Sequence, residues 1–209
     1  MGRKPDIEKK LQIEQTARKL FAQHGYTETS YQLIADAMGT EKSNIQRHFP
    51  KKDIFVDHFF QDLLDAAAKY VGQPEENYFR SLYPIGVVYF AFLLSPQMCR
   101  FTTDVLSERK LTEVIIQKDM QWAAEYLSGF ELEEQPGFRD AVALVMGGVY
   151  ELVYQHLTAG LDTDPRVLMS RAIDLFAYTL HQPSPALPED AVPDRVVQNA
   201  VVFLLKELE

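Results

Sequence analysis

Apolar residues recur along most of this chain at three- and four-residue intervals, and β-branched alternation with a period of two is nearly absent, which predicts an all-α fold. Ile7, Leu11, Ala17, Leu20 and Phe21 fall roughly on one face of a helix over 6–24, with Gly25 as its stop. Thr29 or Ser30 caps a short helix over 31–38 that ends at Gly39, and a second short helix covers 42–48. Pro50 blocks continuation, so a long helix over 51–71 follows, closed by Gly72. Pro74 and Ser95-Pro96 read as helix starts, giving helices over 75–94, kinked at Pro84, and 96–108. Further helices are predicted over 110–128, 137–160 and 164–181. The proline-rich stretch 183–193, "PSPALPEDAVP", reads as a linker, after which Val197, Val201, Leu204 and Leu208 recur at helical spacing in a helix expected to dock on the body. This divides the chain into 1–50, 51–182, the linker 183–193 and a terminal helix over 194–209.

Charge sharpens the division. The formal net charge is −9, yet residues 1–55 carry an excess of three positive charges and residues 56–209 an excess of twelve negative ones. Such polarity lets an acidic protein present a basic end to nucleic acid. The uncharged run between Arg80 and Arg100 contains only "IGVVYFAFLL" as strongly apolar sequence, too short for the roughly 20 residues a bilayer requires. The opening "MGRKPDIEKK" has no apolar signal region, and Cys99 stands alone, so a soluble, cytoplasmic protein in a reducing compartment is expected, with no disulfide framework.

The basic end has a pattern of its own. Ala35, Gly39 and Ile45 have helix-turn-helix spacing: a small residue for close approach, a glycine for the positive-φ turn, and an apolar residue that tucks the second helix under the first. Ile34, Met38 and Phe49 complete a small core, leaving Lys42, Ser43, Asn44, Gln46, Arg47 and His48 on the open side of 42–48. Arginine holds guanine in the major groove, asparagine and glutamine match adenine, and serine adapts to either. Thr29 and Ser30 at a helix start, Lys52, and Arg3 and Lys4 in the N-terminal arm are candidates for phosphate contact, while Glu41 is a candidate helix cap.

Residues 17–55, through "LFAQHGY", "TS", "IADAMG" and "HFPKKDIF", closely resemble the N-terminal DNA-binding domain of the tetracycline-repressor (TetR) family. The resemblance implies that the third helix enters the major groove, with contacts from Thr29, Ser30, Gln32, Lys42, Asn44, Gln46, His48 and Lys52. The family usually has an aromatic residue at Gln46, and often glycine at Ser43 and serine at Glu41.

A single reading unit contacts few bases, so a homodimer on a double-stranded operator is expected. Residues 141–150, "AVALVMGGVY", are apolar all round, and 164–181 carries Val167, Leu168, Ile173, Leu175, Phe176 and Tyr178. The resemblance places the dimer interface on these two helices and a small-molecule effector pocket among the aromatic helices before them. Tyr89, Phe92, Phe101, Trp122 and Tyr126 are its candidate lining, suited to an apolar or aromatic ligand, with Arg100 and Asp119 as polar handles. The expected function is a transcriptional regulator, a repressor by resemblance, without a cofactor. Two alternatives stand beside it. One is a dimeric scaffold without effector control. The other is a helical metal-dependent enzyme using His58, Asp62 and Asp65, which share a helix face that otherwise reads as solvated.

Overall fold

A computed structural model describes residues 4–72, 77–126, 128–130, 134–187 and 192–208. Among them every regular element is helical. The reading end comprises α1 (Lys4–Glu28), α2 (Tyr31–Ala37) and α3 (Lys42–His48). The long α4 (Asp53–Val71) leads into a body of α5 (Tyr78–Leu93), α6 (Cys99–Ser107), α7 (Arg109–Tyr126), α8 (Phe138–Ala159), α9 (Pro165–Thr179) and α10 (Asp194–Glu207). No described helix is long and apolar enough to cross a membrane.

The first helix runs three residues past Gly25 rather than stopping there, because that glycine takes φ 80° and bends the axis instead of ending it. Its hydrophobic face is also displaced from the expected one. Ile13, Ala17, Leu20 and Phe21 are buried, whereas Ile7 and Leu11 are 65% and 52% exposed, since the opening turns extend past the elements that would cover them. The sixth helix begins at Cys99, with Pro96 in the preceding turn rather than in the first helical turn. The fifth continues through Pro84. The expected beginning of that helix at 75–76, Pro74 and residues 188–191 of the linker lie outside the described residues.

Two packing centres matter for function. In the reading end, Ile34, Ala35, Ile45 and Phe49 are buried against Ile13, Ala17 and Phe21 of α1. Phe49, just past α3, stacks on Phe55 of α4 at 4.4 Å between ring centroids. In the body, α4 packs on α5 and α7, α5 on α9, and α8 on α6, α7 and α9. The last helix lies across α4 and α5: the Tyr70 hydroxyl donates to the Val196 carbonyl at 3.0 Å, and Tyr70 meets Phe203 at 5.2 Å.

The expectation that 141–150 must avoid water on every side does not hold within one chain. Val142, Val145, Val149 and Tyr150 are buried, but Leu144 is 62% exposed. On α9 Leu168, Ile173 and Phe176 point inward, while Val167, Leu175 and Tyr178 are exposed, the last by 78%.

Candidate nucleic-acid interface and body cavity

The turn between α2 and α3 is built around Gly39 at φ 61°, which lets the Thr40 amide donate back to the Ala35 carbonyl at 2.9 Å. A residue with a side chain rarely adopts that backbone. Ser30 caps α2, its hydroxyl accepting from the Leu33 amide at 3.1 Å. The Tyr31 hydroxyl donates to the Phe49 carbonyl at 2.8 Å, tying the start of α2 to the end of α3. Only Ile45 of α3 is buried, so the helix is anchored along one line and presents the rest of its circumference.

That presented face carries Lys42, Ser43, Gln46 and Arg47 exposed, with Asn44 and His48 half-buried at its edges. The Asn44 amide donates to the Thr40 hydroxyl at 3.1 Å, and Arg47 Nη2 lies 3.5 Å from His48 Nε2. On α2 the exposed Gln32 amide donates to Asp36. Glu41 occupies the cap position of α3 without a capping bond from its side chain, and accepts from the Ser43 hydroxyl at 3.2 Å instead.

Two expected contacts are placed differently. Thr29 is fully buried, and its hydroxyl donates to the Gly25 carbonyl at 2.7 Å. It satisfies a backbone group at the bend of α1 and is sealed from any phosphate. The Lys52 ammonium donates to the Tyr26 carbonyl at 2.6 Å and sits 3.8 Å from the centre of the Tyr26 ring. Burial lowers its pKa, against the opposing pull of Glu108, Asp104, Asp53 and Glu28. Lys51 beside it is exposed. Arg3 and the Lys4 side chain lie outside the described residues.

The body holds an apolar cavity of about 70 Å³ lined by α4, α5, α7, α8 and α9. Leu64, Ile85, Phe90, Trp122, Val142, Val145, Met146, Met169, Ile173 and Phe176 contribute to its wall, with Tyr89 and Asp119. Gly86 leaves room for Met169, whose Cε would lie 2.3 Å from any Cβ placed there. Of the five residues expected to line an effector pocket, Tyr89 and Trp122 are at this cavity. Phe92 and Phe101 are buried elsewhere, in the aromatic packing that joins the reading end to the body. Phe92 lies against Phe59 at 6.4 Å, and Phe101 packs on Phe21, Phe59 and Phe60 at 5.3, 4.9 and 6.3 Å. Tyr126 stacks on Trp122 at 4.7 Å and donates to the Gly72 carbonyl. Arg100 lies against Gly25 on the α1–α6 contact, away from the cavity wall.

Asp119 is buried with two tyrosines from other helices. The Tyr150 hydroxyl donates to its carboxylate at 2.5 Å, the Tyr89 hydroxyl lies 3.5 Å from the other oxygen, and the two hydroxyls are 2.6 Å apart. Burial pushes the Asp119 pKa up to about 7 even though both hydroxyls pull the other way. Burial likewise raises both tyrosines well above their usual range. Tyr150 escaped the sequence reading as a site residue, since it sits in a run of apolar residues and its partners are 31 and 61 positions away.

His58, Asp62 and Asp65 do not converge. His58 bonds Glu14 at 2.5 Å, Asp62 pairs with Arg18, and Asp65 accepts from the Trp122 indole at 2.8 Å.

A short helix held by one buried residue, its polar face open, on a core shared with two other helices defines a helix-turn-helix DNA-binding domain. Residues 13–58 match the family model described as bacterial regulatory proteins, tetR family. The N-terminal domain belongs to that family, and the chain is a DNA-binding transcriptional regulator. No curated protein matches the chain.

Proposed function

We propose that the protein is a cytoplasmic homodimeric repressor, released from its operator when a small organic effector enters the body cavity. The cavity carries this reading, because α4 supplies part of its wall through Leu64 and continues to the reading end. A ligand that shifts α4 therefore has a physical route to α3. Aromatic rings supply a second one. Tyr89 at the cavity contacts Phe60 at 6.2 Å, Phe60 contacts Phe101, Phe101 contacts Phe21, Phe21 contacts Phe55 at 6.2 Å, and Phe55 stacks on Phe49 beside α3. Coupling requires a ligand that prefers one arrangement of this chain; a preference of about 1–3 kcal/mol changes DNA affinity ~5–150-fold.

Pairing is supported by the exposed apolar residues of α8 and α9. Leu144, Val167, Leu175 and Tyr178, with the exposed Gly148, make a surface that costs free energy in water and suits a second copy of the same helices. Two copies place two α3 helices on one DNA duplex.

At the DNA, Gln46 and Arg47 are the candidates for reading bases, with Lys42, Ser43, Asn44 and His48 around them. Ser30, Gln32 and Lys51 are the candidates for phosphate contact. Lys52 joins them on exchanging Tyr26 for a phosphate. The test is binding to the DNA upstream of the protein's own gene, measured by anisotropy against a scrambled sequence at several salt concentrations. The expected result is preference for the native fragment and a steep salt slope. Equal affinity for both sequences at moderate salt would refute operator recognition. Arg47→Ala is expected to change the ranking of operator variants, while Lys51→Ala weakens all of them alike and lowers the slope by about 1.

A further inference from the structure

The cavity wall is almost wholly apolar, and Asp119 is the one charged side chain among its described lining residues, its oxygens turned to two tyrosine hydroxyls. A carboxylate so placed is costly to ionise, and the partner that relieves the cost most fully is a cation with hydrogens to donate. We infer that the cavity takes a small apolar compound ending in a protonated amine, whose ammonium replaces the Tyr150 hydroxyl on Asp119 while its hydrocarbon part fills the space between Trp122, Met146 and Met169. This deepens the effector reading above and rests on it for the consequence of binding.

Other ligand charges fit worse. An anion would face Asp119 with no cation to receive it. A neutral hydrocarbon would match the wall and leave the carboxyl as it was. The charged residues on the packed elements are engaged or turned away. On α4, Asp65 accepts from Trp122; Lys118 of α7 pairs with Asp57 at 3.1 Å; on α9, Arg166 is held by Asp164 and Asp194. Arg80 of α5 and Glu151 of α8 are exposed. The raised pKa of Asp119 accordingly comes from burial, with no charged neighbour contributing.

A second observation points the same way. A groove of about 650 Å³ runs along α7 and α8, and Tyr150 is among its lining residues. Tyr150 thus belongs to the groove lining and is also bonded to Asp119. Glu113, Glu151 and Arg109 stand on the groove, an excess of one carboxylate that favours a cation there. Breaking the Tyr150–Asp119 bond frees the acceptor for the ammonium. The space is small, so the hydrocarbon part is short, or Met146 and Met169 move aside for it.

The test uses the full-length protein and primary amines from propylamine to hexylamine, with benzylamine, against the alcohols and carboxylates of the same skeletons. Trp122, the single tryptophan, reports binding by fluorescence, and calorimetry confirms it. Amines are expected to bind about tenfold or more tightly than the alcohols, with the carboxylates weakest. Asp119→Asn is expected to lower amine affinity ~10- to 100-fold, to the level of the alcohols. In the unaltered protein, amine affinity is expected to rise from pH 6 to pH 8 as Asp119 ionises, which decides the matter should the variant fail to fold. Alcohols binding as tightly as amines, amine affinity unchanged across that range, or no amine bound at all would overturn the inference. Operator binding measured in parallel separates the two readings. Amines that bind without releasing DNA would leave the inference standing and count against the cavity as the effector site.

Discussion

Asp119 shows how one buried residue can set a stability profile. Its carboxyl is held at a pKa of about 7 against an ordinary 3.8, so between those values the folded chain binds a proton that the unfolded chain has lost. Stability contributed by this group is therefore full at low pH and declines as pH rises toward 7, by up to about 1.4 kcal/mol per pH unit. Asp119→Asn, which cannot ionise, is expected to remove that decline. Urea melts at pH 5 and pH 8 should show the variant gaining on the parent protein at the higher pH, and a constant difference at both would contradict the assignment. Thr29 makes the converse point. It looked like a phosphate ligand because it precedes a helix start, yet its hydroxyl is spent on the Gly25 carbonyl inside the fold. Thr29→Val is expected to cost about 1 kcal/mol of stability through the orphaned carbonyl, with operator preference unchanged.

Among the elements, α1 and α6 meet at a contact that the bend at Gly25 makes possible. The Asp104 carboxylate accepts from the Thr27 amide at 2.9 Å and would lie 2.5 Å from a Cβ at position 25. A side chain there meets both a positive φ and an occupied space. Gly25→Ala is expected to destabilise the fold by about 1–2 kcal/mol from the backbone alone, and to weaken operator binding as α6 is pushed from α1. Denaturant titration and anisotropy read the two effects separately. The turn of α2 and α3 was legible in advance, because Gly39, Ala35 and Ile45 act over ten residues of chain and need no distant partner. The outward turn of Ile7 and Leu11 was not. Periodicity gives the face of a helix, and which stretch of that face is covered depends on neighbours far away in sequence.

For the whole molecule, the exposed apolar residues of α8 and α9 set the expectation. Tyr178→Glu together with Leu144→Glu should leave the protomer folded, since both side chains already face water, and yield a monomer by sedimentation with much weaker operator binding. A variant that still sediments as a dimer would move the interface elsewhere. The aromatic rings between cavity and reader also belong to this scale. Phe92 and Phe101 look like pocket lining in a list of aromatics, but both are packed among other rings away from the cavity wall.

The sequence by itself determined the helical class, the position of nearly every helix, the turn at Gly39, and the polar face of α3 whose chemistry suits duplex DNA. These follow from periods, caps and breakers acting within a few residues. Only the tertiary structure decided that Thr29 is sealed and Lys52 is held on Tyr26. It alone placed Tyr89 and Trp122, rather than Phe101, at the cavity, and brought Asp119 to two tyrosines from separate helices. Each of those facts depends on which distant surfaces exclude water together, and no local pattern along the chain encodes that.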